Sequence, residues 1–210
     1  MPARRIHPLN TTPIAHMAGR WLARQLELDA SGEKTLRFGF DIALSWTTGM
    51  ALVAAVSFVL GCTIQGLGGA LAAFALRVFS AGAHCRTAGR CAILTALVYP
   101  ALGKVSVLIH HRVSFGYIVA AYALSAACTF RRARPRDQRD ARNRALQPFA
   151  LGILAVYLAG SFLRWRGSDG VDSVSCAIAL GCLWQSATVT EAGTRVIHRI
   201  DGIMSALGLD

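Results

Sequence analysis

Long windows without a single charged side chain dominate this chain. No Asp, Glu, Lys or Arg occurs from Ile42 to Leu76, and the same holds for 113–130, 145–163 and 173–190. A further window, 91–111, is interrupted only by Lys104. Each is close to the roughly 20 apolar residues that cross a bilayer as a helix, and the first is long enough for nearly two. In lipid every backbone N–H and C=O must be satisfied within the protein, so these windows are expected to be helices. Their weak alternation and abundant Ala and Leu argue against a β-barrel. Only 16% of the residues are charged and the mean hydropathy is +0.44, which speaks against both an ordinary soluble globule and a disordered chain. Six Cys in 210 residues are too sparse for a secreted disulfide scaffold. The expected fold class is all-α: a polytopic integral membrane protein with about six transmembrane helices and an N-terminal amphipathic helix.

The cations fix a topology. The net charge is +11, and 20 of the 22 cations are Arg. They sit between the apolar windows and not on a soluble basic face, so they read as topology determinants and no nucleic-acid partner is expected. With the N-terminus in the cytoplasm, the segments 1–37, 77–90, 131–144 and 191–210 are inside and carry 18 cations, against Arg112, Arg164 and Arg166 on outer loops. The bias predicts spans at about 38–62, 64–79, 91–109, 113–130, 146–163 and 173–190, with both termini cytoplasmic. The whole chain, 1–210, then forms one membrane unit: a cytoplasmic amphipathic region (1–37), a bundle (38–190) and a cytoplasmic tail (191–210). Arg4 and Arg5 are not followed by the apolar stretch and cleavage site of a signal peptide. Residues 14–28 place Ile14, Met17 and Trp21 on one side of a helix, expected either in the membrane interface or packed on the bundle. Asp29-Ala-Ser-Gly32 reads as a turn. The Arg run at 131–144 is expected to be a solvated loop or a contact for anionic lipid or an acidic peptide.

The polar segment between the second and third spans carries the chemistry. It runs from Arg77 through His84 and Cys85 to Cys91. A thiol and an imidazole are the parts of a nucleophile and its base. Seven residues of straight helix rise about 10.5 Å. A working pair needs to close to about 3–4 Å. His84 and Cys91 therefore cannot share one unbroken helix. The chain is expected to break near Gly82 or Gly89, leaving His84 in a loop and Cys91 in the first turn of the third span, where a helix N-terminus favours a thiolate.

This segment resembles the motif of the accessory gene regulator B (AgrB) family of membrane cysteine endopeptidases: an Arg, a Gly-Gly pair, a His followed by Ala-Lys-Thr, and a Cys. Here Arg77, Ala81-Gly82-Ala83-His84-Cys85-Arg86-Thr87 and Cys91 stand in that order, with the family's spacing between His and Cys. The likeness extends to Phe38-Gly39-Phe40-Asp41 before the first span and to Thr188, Thr190 and Gly193 near the end. The chain departs from the pattern at Ala81, Cys85, Arg86 and Glu191. Cys85 offers a rival nucleophile beside His84, but Cys91 alone keeps the family spacing.

The resemblance implies a bacterial plasma-membrane enzyme that cuts the C-terminal part from an AgrD-like propeptide. Cys91 would be the nucleophile and carry the peptide as a thioester. His84 would act as general base and then as general acid. An internal Cys or Ser of the peptide would close a thiolactone or lactone, a quorum-sensing signal. Arg77, Gly82, Arg86 and Thr87 are candidates for substrate binding, with Arg77 alternatively a snorkelling anchor. Lys104, a cation within a span, is a further candidate, either serving substrate passage or paired with Asp41. The resemblance also implies association of two copies. No cofactor and no metal are expected, since His110-His111 lacks a spaced set of further ligands. A second reading is a non-catalytic membrane transporter or export helper for a peptide; such a carrier should tolerate loss of Cys91.

Overall fold

The computed structural model describes residues 12–80, 82–131, 138–168 and 170–208. Among them every regular element is helical. In chain order these are α1 (Thr12–Gln25), α2 (Ala30–Val59), α3 (Thr63–Ser80), α4 (Ala88–Ile109), a single 3-10 turn at His110–Arg112, α5 (Phe115–Arg131), α6 (Gln138–Arg166), α7 (Ser173–Val189) and α8 (Glu191–Ala206). The expected all-α polytopic architecture is therefore what the chain forms. Each of the six expected spans coincides with a helix. Four helical segments are long and apolar enough to cross a membrane: Ala30–Val59, Thr63–Ser80, Ala88–Arg112 and Leu146–Arg166. A fifth arises if α7 and α8, bent by 90°, count as one broken span, and Phe115–Phe130 is apolar but shorter. At about 1.5 Å per residue a 17-residue helix such as α5 or α7 reaches about 26 Å, short of the roughly 30 Å hydrocarbon core.

The turn expected at 29–32 is absent. Asp29 instead caps α2, its Oδ1 accepting from Gly32 N at 2.8 Å, and the helix begins at Ala30. A short acceptor side chain at this position satisfies one of the orphan N–H groups of a helix start, so the polar residues that read as a turn start a helix. α1 packs on the bundle, the second of the two alternatives expected for it. Its small residues Ala15 and Ala23 are buried, and Gly19 lies against the Arg37 backbone of α2, while Ile14, Met17 and Trp21 stay exposed on the other face. The residues 132–137 of the Arg run lie outside the described residues; from Gln138 the chain is already helix α6.

α7 is the axis of the bundle, and small residues let its neighbours close on it. A Cβ on Gly181 would come within 2.4 Å of Gly69 O in α3, and one on Gly103 of α4 would come within 2.7 Å of Gly66 N. Close backbone approach of this kind replaces the hydrophobic driving force that is missing between helices in lipid. Cys176 and Cys182 fill the α3–α5–α6–α7 core as small apolar groups.

The loops sort into two ends. One holds Leu60, which receives Lys104 Nζ at 3.0 Å, Gln65, which bonds Ser173 at 2.9 Å, and the cleft shared by His110–Phe115 and Trp165–Asp172. Arg112, Arg164 and Arg166, the three cations expected on one side of the membrane, are all here. The opposite end gathers the C-terminus of α3, the loop 82–87 and the α7–α8 corner.

Asp172 ties the first of these ends together. It caps α7 through Val174 N and Ser175 N and forks with Arg164 of α6 at 2.9 and 3.0 Å. Burial works against its carboxylate, but the hydrogen bonds from Arg164 and Ser175 outweigh it and hold its pKa at about 2. A depressed carboxylate stabilises the fold above its unfolded value of 3.8 and loses that contribution as pH falls towards 2. Asp172→Ala is expected to cost about 1 kcal/mol or more, the worth of a helix cap. Thermal melts in detergent would read it as a lowered Tm at pH 7, with the gap to wild type closing as both are acidified below pH 4. An unchanged Tm at pH 7 would refute the role.

Candidate active site

Arg77 ends α3 with its guanidinium turned back over the loop that follows. Nη2 donates to Ala83 O and to His84 Nδ1, each at 2.8 Å, and Nη1 donates to Gln185 Oε1 of α7 at 3.5 Å. A guanidinium has no acceptor, so Nδ1 is the accepting nitrogen of this pair and the proton of neutral His84 sits on Nε2. The loop is pinned to α7 by Ala83 N, which donates to Thr188 O at 3.1 Å. Gly82 makes that seat attainable. Its φ of +148° is open to glycine, and a Cβ would strike Thr188 Oγ1 at 2.9 Å and Gln185 Nε2 at 3.0 Å.

The loop ends at Thr87, whose Oγ1 caps α4 by accepting from Arg90 N at 3.3 Å. Cys91 follows in the first turn of α4, and His84 stays in the loop, as the helix-rise argument requires. Cys91 shares one wall of a cavity with His84 and Cys85. Cys85 is pushed up in pKa, first by its neighbour Cys91 and then by burial.

A cavity of about 400 Å³ opens in front of these groups. Arg77, His84, Cys85, Arg86, Thr87 and Cys91 line one side. The far wall belongs to α2 and α3, where Trp46 meets Phe74 at 4.9 Å. Five of the seven residues expected to do chemistry or bind substrate thus line one cavity, and Gly82 seats the loop that carries them. Lys104 is not among them. It lies more than three turns beyond Cys91 on α4, about 20 Å away at 1.5 Å per residue. The expected pairing of Lys104 with Asp41 is also not formed. Asp41 lines the cavity, whereas Lys104 bonds Leu60 O at the C-terminus of α2, about 28 Å further along that helix. A long cationic stem near a helix end satisfies a free carbonyl there, which explains Lys104 without a role in the site.

Sequence reasoning missed what lies underneath. α8 folds back at the α7–α8 corner, where a Cβ on Gly193 would sit 2.0 Å from Ala187 O and Thr190 caps the new helix. Its Asp201, 3% exposed, accepts from Arg86 N at 3.2 Å and from Arg90 Nη1 at 3.4 Å, and Ser205 Oγ accepts from Arg90 Nη2 at 3.1 Å. The tail therefore buttresses both the loop and the start of α4. The one hint in the sequence was an acid on the otherwise apolar face of 197–204.

A family model, accessory gene regulator B, matches residues 15–189. No curated protein and no solved structure matches the chain.

Proposed function

Because the chain belongs to the accessory gene regulator B family, we propose that it is a membrane cysteine endopeptidase that matures a peptide pheromone. Membership links it to the processing of an autoinducing peptide. The observation that carries the finer reading is the placement of Cys91 and His84 together at one wall of a cavity large enough for a stretch of peptide.

In this reading an AgrD-like propeptide lies in the cavity with its scissile carbonyl at Cys91. His84 takes the thiol proton. For that the Arg77–Nδ1 hydrogen bond opens, while the guanidinium keeps Ala83 O and Gln185 Oε1. The sulfur attacks the carbonyl carbon; a C–S bond forms and the carbonyl π pair moves to oxygen. The freed arm of Arg77 then meets the oxyanion. Collapse breaks the C–N bond, and His84 returns its proton to the leaving amine. The peptide remains as a thioester on Cys91 until its own Cys or Ser attacks, giving a thiolactone or lactone and restoring the Cys91 thiol. Exchange of one thioester for another is nearly balanced, so water must be kept away, and the apolar wall of Ile42, Trp46, Met50 and Phe74 supports this. Arg86, exposed at the mouth, and Thr87 complete the approach for the peptide. The charge bias supports a cytoplasmic position for this end of the bundle at the plasma membrane.

The test is a trapped intermediate. Protein in liposomes is mixed with the propeptide encoded beside it, quenched in acid and weighed intact. The reading expects an adduct on Cys91 with the mass of the N-terminal fragment, released by hydroxylamine as a thioester and absent in Cys91→Ala. Uncut propeptide moved across the bilayer by wild type and Cys91→Ala alike would establish the carrier instead.

A further inference from the structure

The cavity holds one carboxylate, and it is unused. Asp41 lines the wall opposite the loop, and its Oδ1 is buried with no hydrogen-bond partner among the described residues. A buried acceptor left unmade is costly, and in native structures such a group calls for an explanation. The two cations on the cavity do not supply one. Arg77 is engaged by His84, Ala83 and Gln185, and Arg86 leans on Asp201 at 3.9 Å. Lys104 is at the other end of α2. The space beside Asp41 is open as well: Ser45, one turn on, lines the same cavity, and a Cβ on Gly49, two turns on, would meet nothing within 4 Å.

We propose that Asp41 is a specificity residue for the substrate, forming a subsite that takes a basic side chain of the bound peptide. A cation is the occupant favoured by charge: a donor that is itself charged makes the stronger hydrogen bond to a carboxylate, and the cavity's own cations leave Asp41 unneutralised. An acidic side chain would instead be drawn to the Arg77 and Arg86 side. The inference rests on the protease reading and adds the class of side chain that the site selects.

The experiment uses peptidyl chloromethyl ketones on the full-length protein in lipid nanodiscs. The Cys91 sulfur displaces chloride, so that a C–S bond forms, a C–Cl bond breaks and intact mass reads the adduct. Acetyl-tetrapeptide ketones carry Lys or norleucine at each of the four positions in turn. The expected result is labelling about tenfold faster for Lys than for norleucine in at least one position, equivalent to about 1.4 kcal/mol. Asp41→Asn should erase that preference and leave the rate with iodoacetamide, which has no side chain to place, unchanged. Equal rates for every Lys–norleucine pair, or a preference that survives Asp41→Asn, overturn the subsite. A Cys91 that reacts with neither ketone nor iodoacetamide overturns the protease reading, and the subsite with it.

Discussion

Cys91→Ala is expected to lower propeptide cleavage by about a thousandfold or more, the order of loss that follows removal of an enzyme nucleophile. Cys85→Ala should keep the rate within about fivefold, because the thiol it removes contributes no more than a hydrogen bond would, about 1 kcal/mol. The contrast follows from the thiol pair. Both residues line the cavity, but the Cys85 thiol is pushed up in pKa, while Cys91 stands in the first turn of α4 on the same wall as His84. The N-terminal end of a helix and an imidazole both favour negative charge on a sulfur. His84→Ala should cost about a hundredfold to ten-thousandfold, the range for loss of a general acid–base group. Product formation followed by mass spectrometry in liposomes separates the three variants. If cleavage survives Cys91→Ala and disappears in Cys85→Ala, the roles of the two thiols are reversed.

The positions of these two groups were legible because they depend on short-range geometry. Helix rise forbids a seven-residue pair on one helix, and glycine supplies the break, so a loop at His84 and a helix start at Cys91 follow once the two are taken as the pair that the resemblance implies. The spans were legible for a similar reason, since a charge-free window leaves a chain in lipid little choice but helix. Elsewhere tertiary contacts decided. Lys104 reads as a mid-span cation from sequence, yet its reach to Leu60 O depends on where α2 ends. Arg77 reads from sequence as a snorkelling anchor ahead of a site residue, and only the fold brings Gln185, far along the chain, beside it.

Asp201→Ala is the substitution away from the thiols with the largest expected effect. Asp201 stands on the buried face of α8, with Ile197 and Met204. Here its side chain is 5% exposed and faces Arg90, whose side chain is 6% exposed. Removing one partner of a buried ion pair costs up to about 3–5 kcal/mol. A folded domain has only about 5–15 kcal/mol in total. At this chain length the loss corresponds to a fall in Tm of about 6–20 °C. The effect should reach the site as well, because Asp201 also accepts from Arg86 N in the loop and Arg90 directly precedes Cys91. Iodoacetamide labelling of Cys91 should therefore change in rate along with the melt. Replacing both partners by apolar residues, Arg90→Leu with Asp201→Leu, should recover much of the Tm, since apolar residues of similar volume often match a buried ion pair. It should not restore cleavage, because the hydrogen bond that fixes Arg86 N is still missing. A single Asp201→Ala variant that melts with wild type would mean that Arg90 finds another partner and that α8 does not buttress the site.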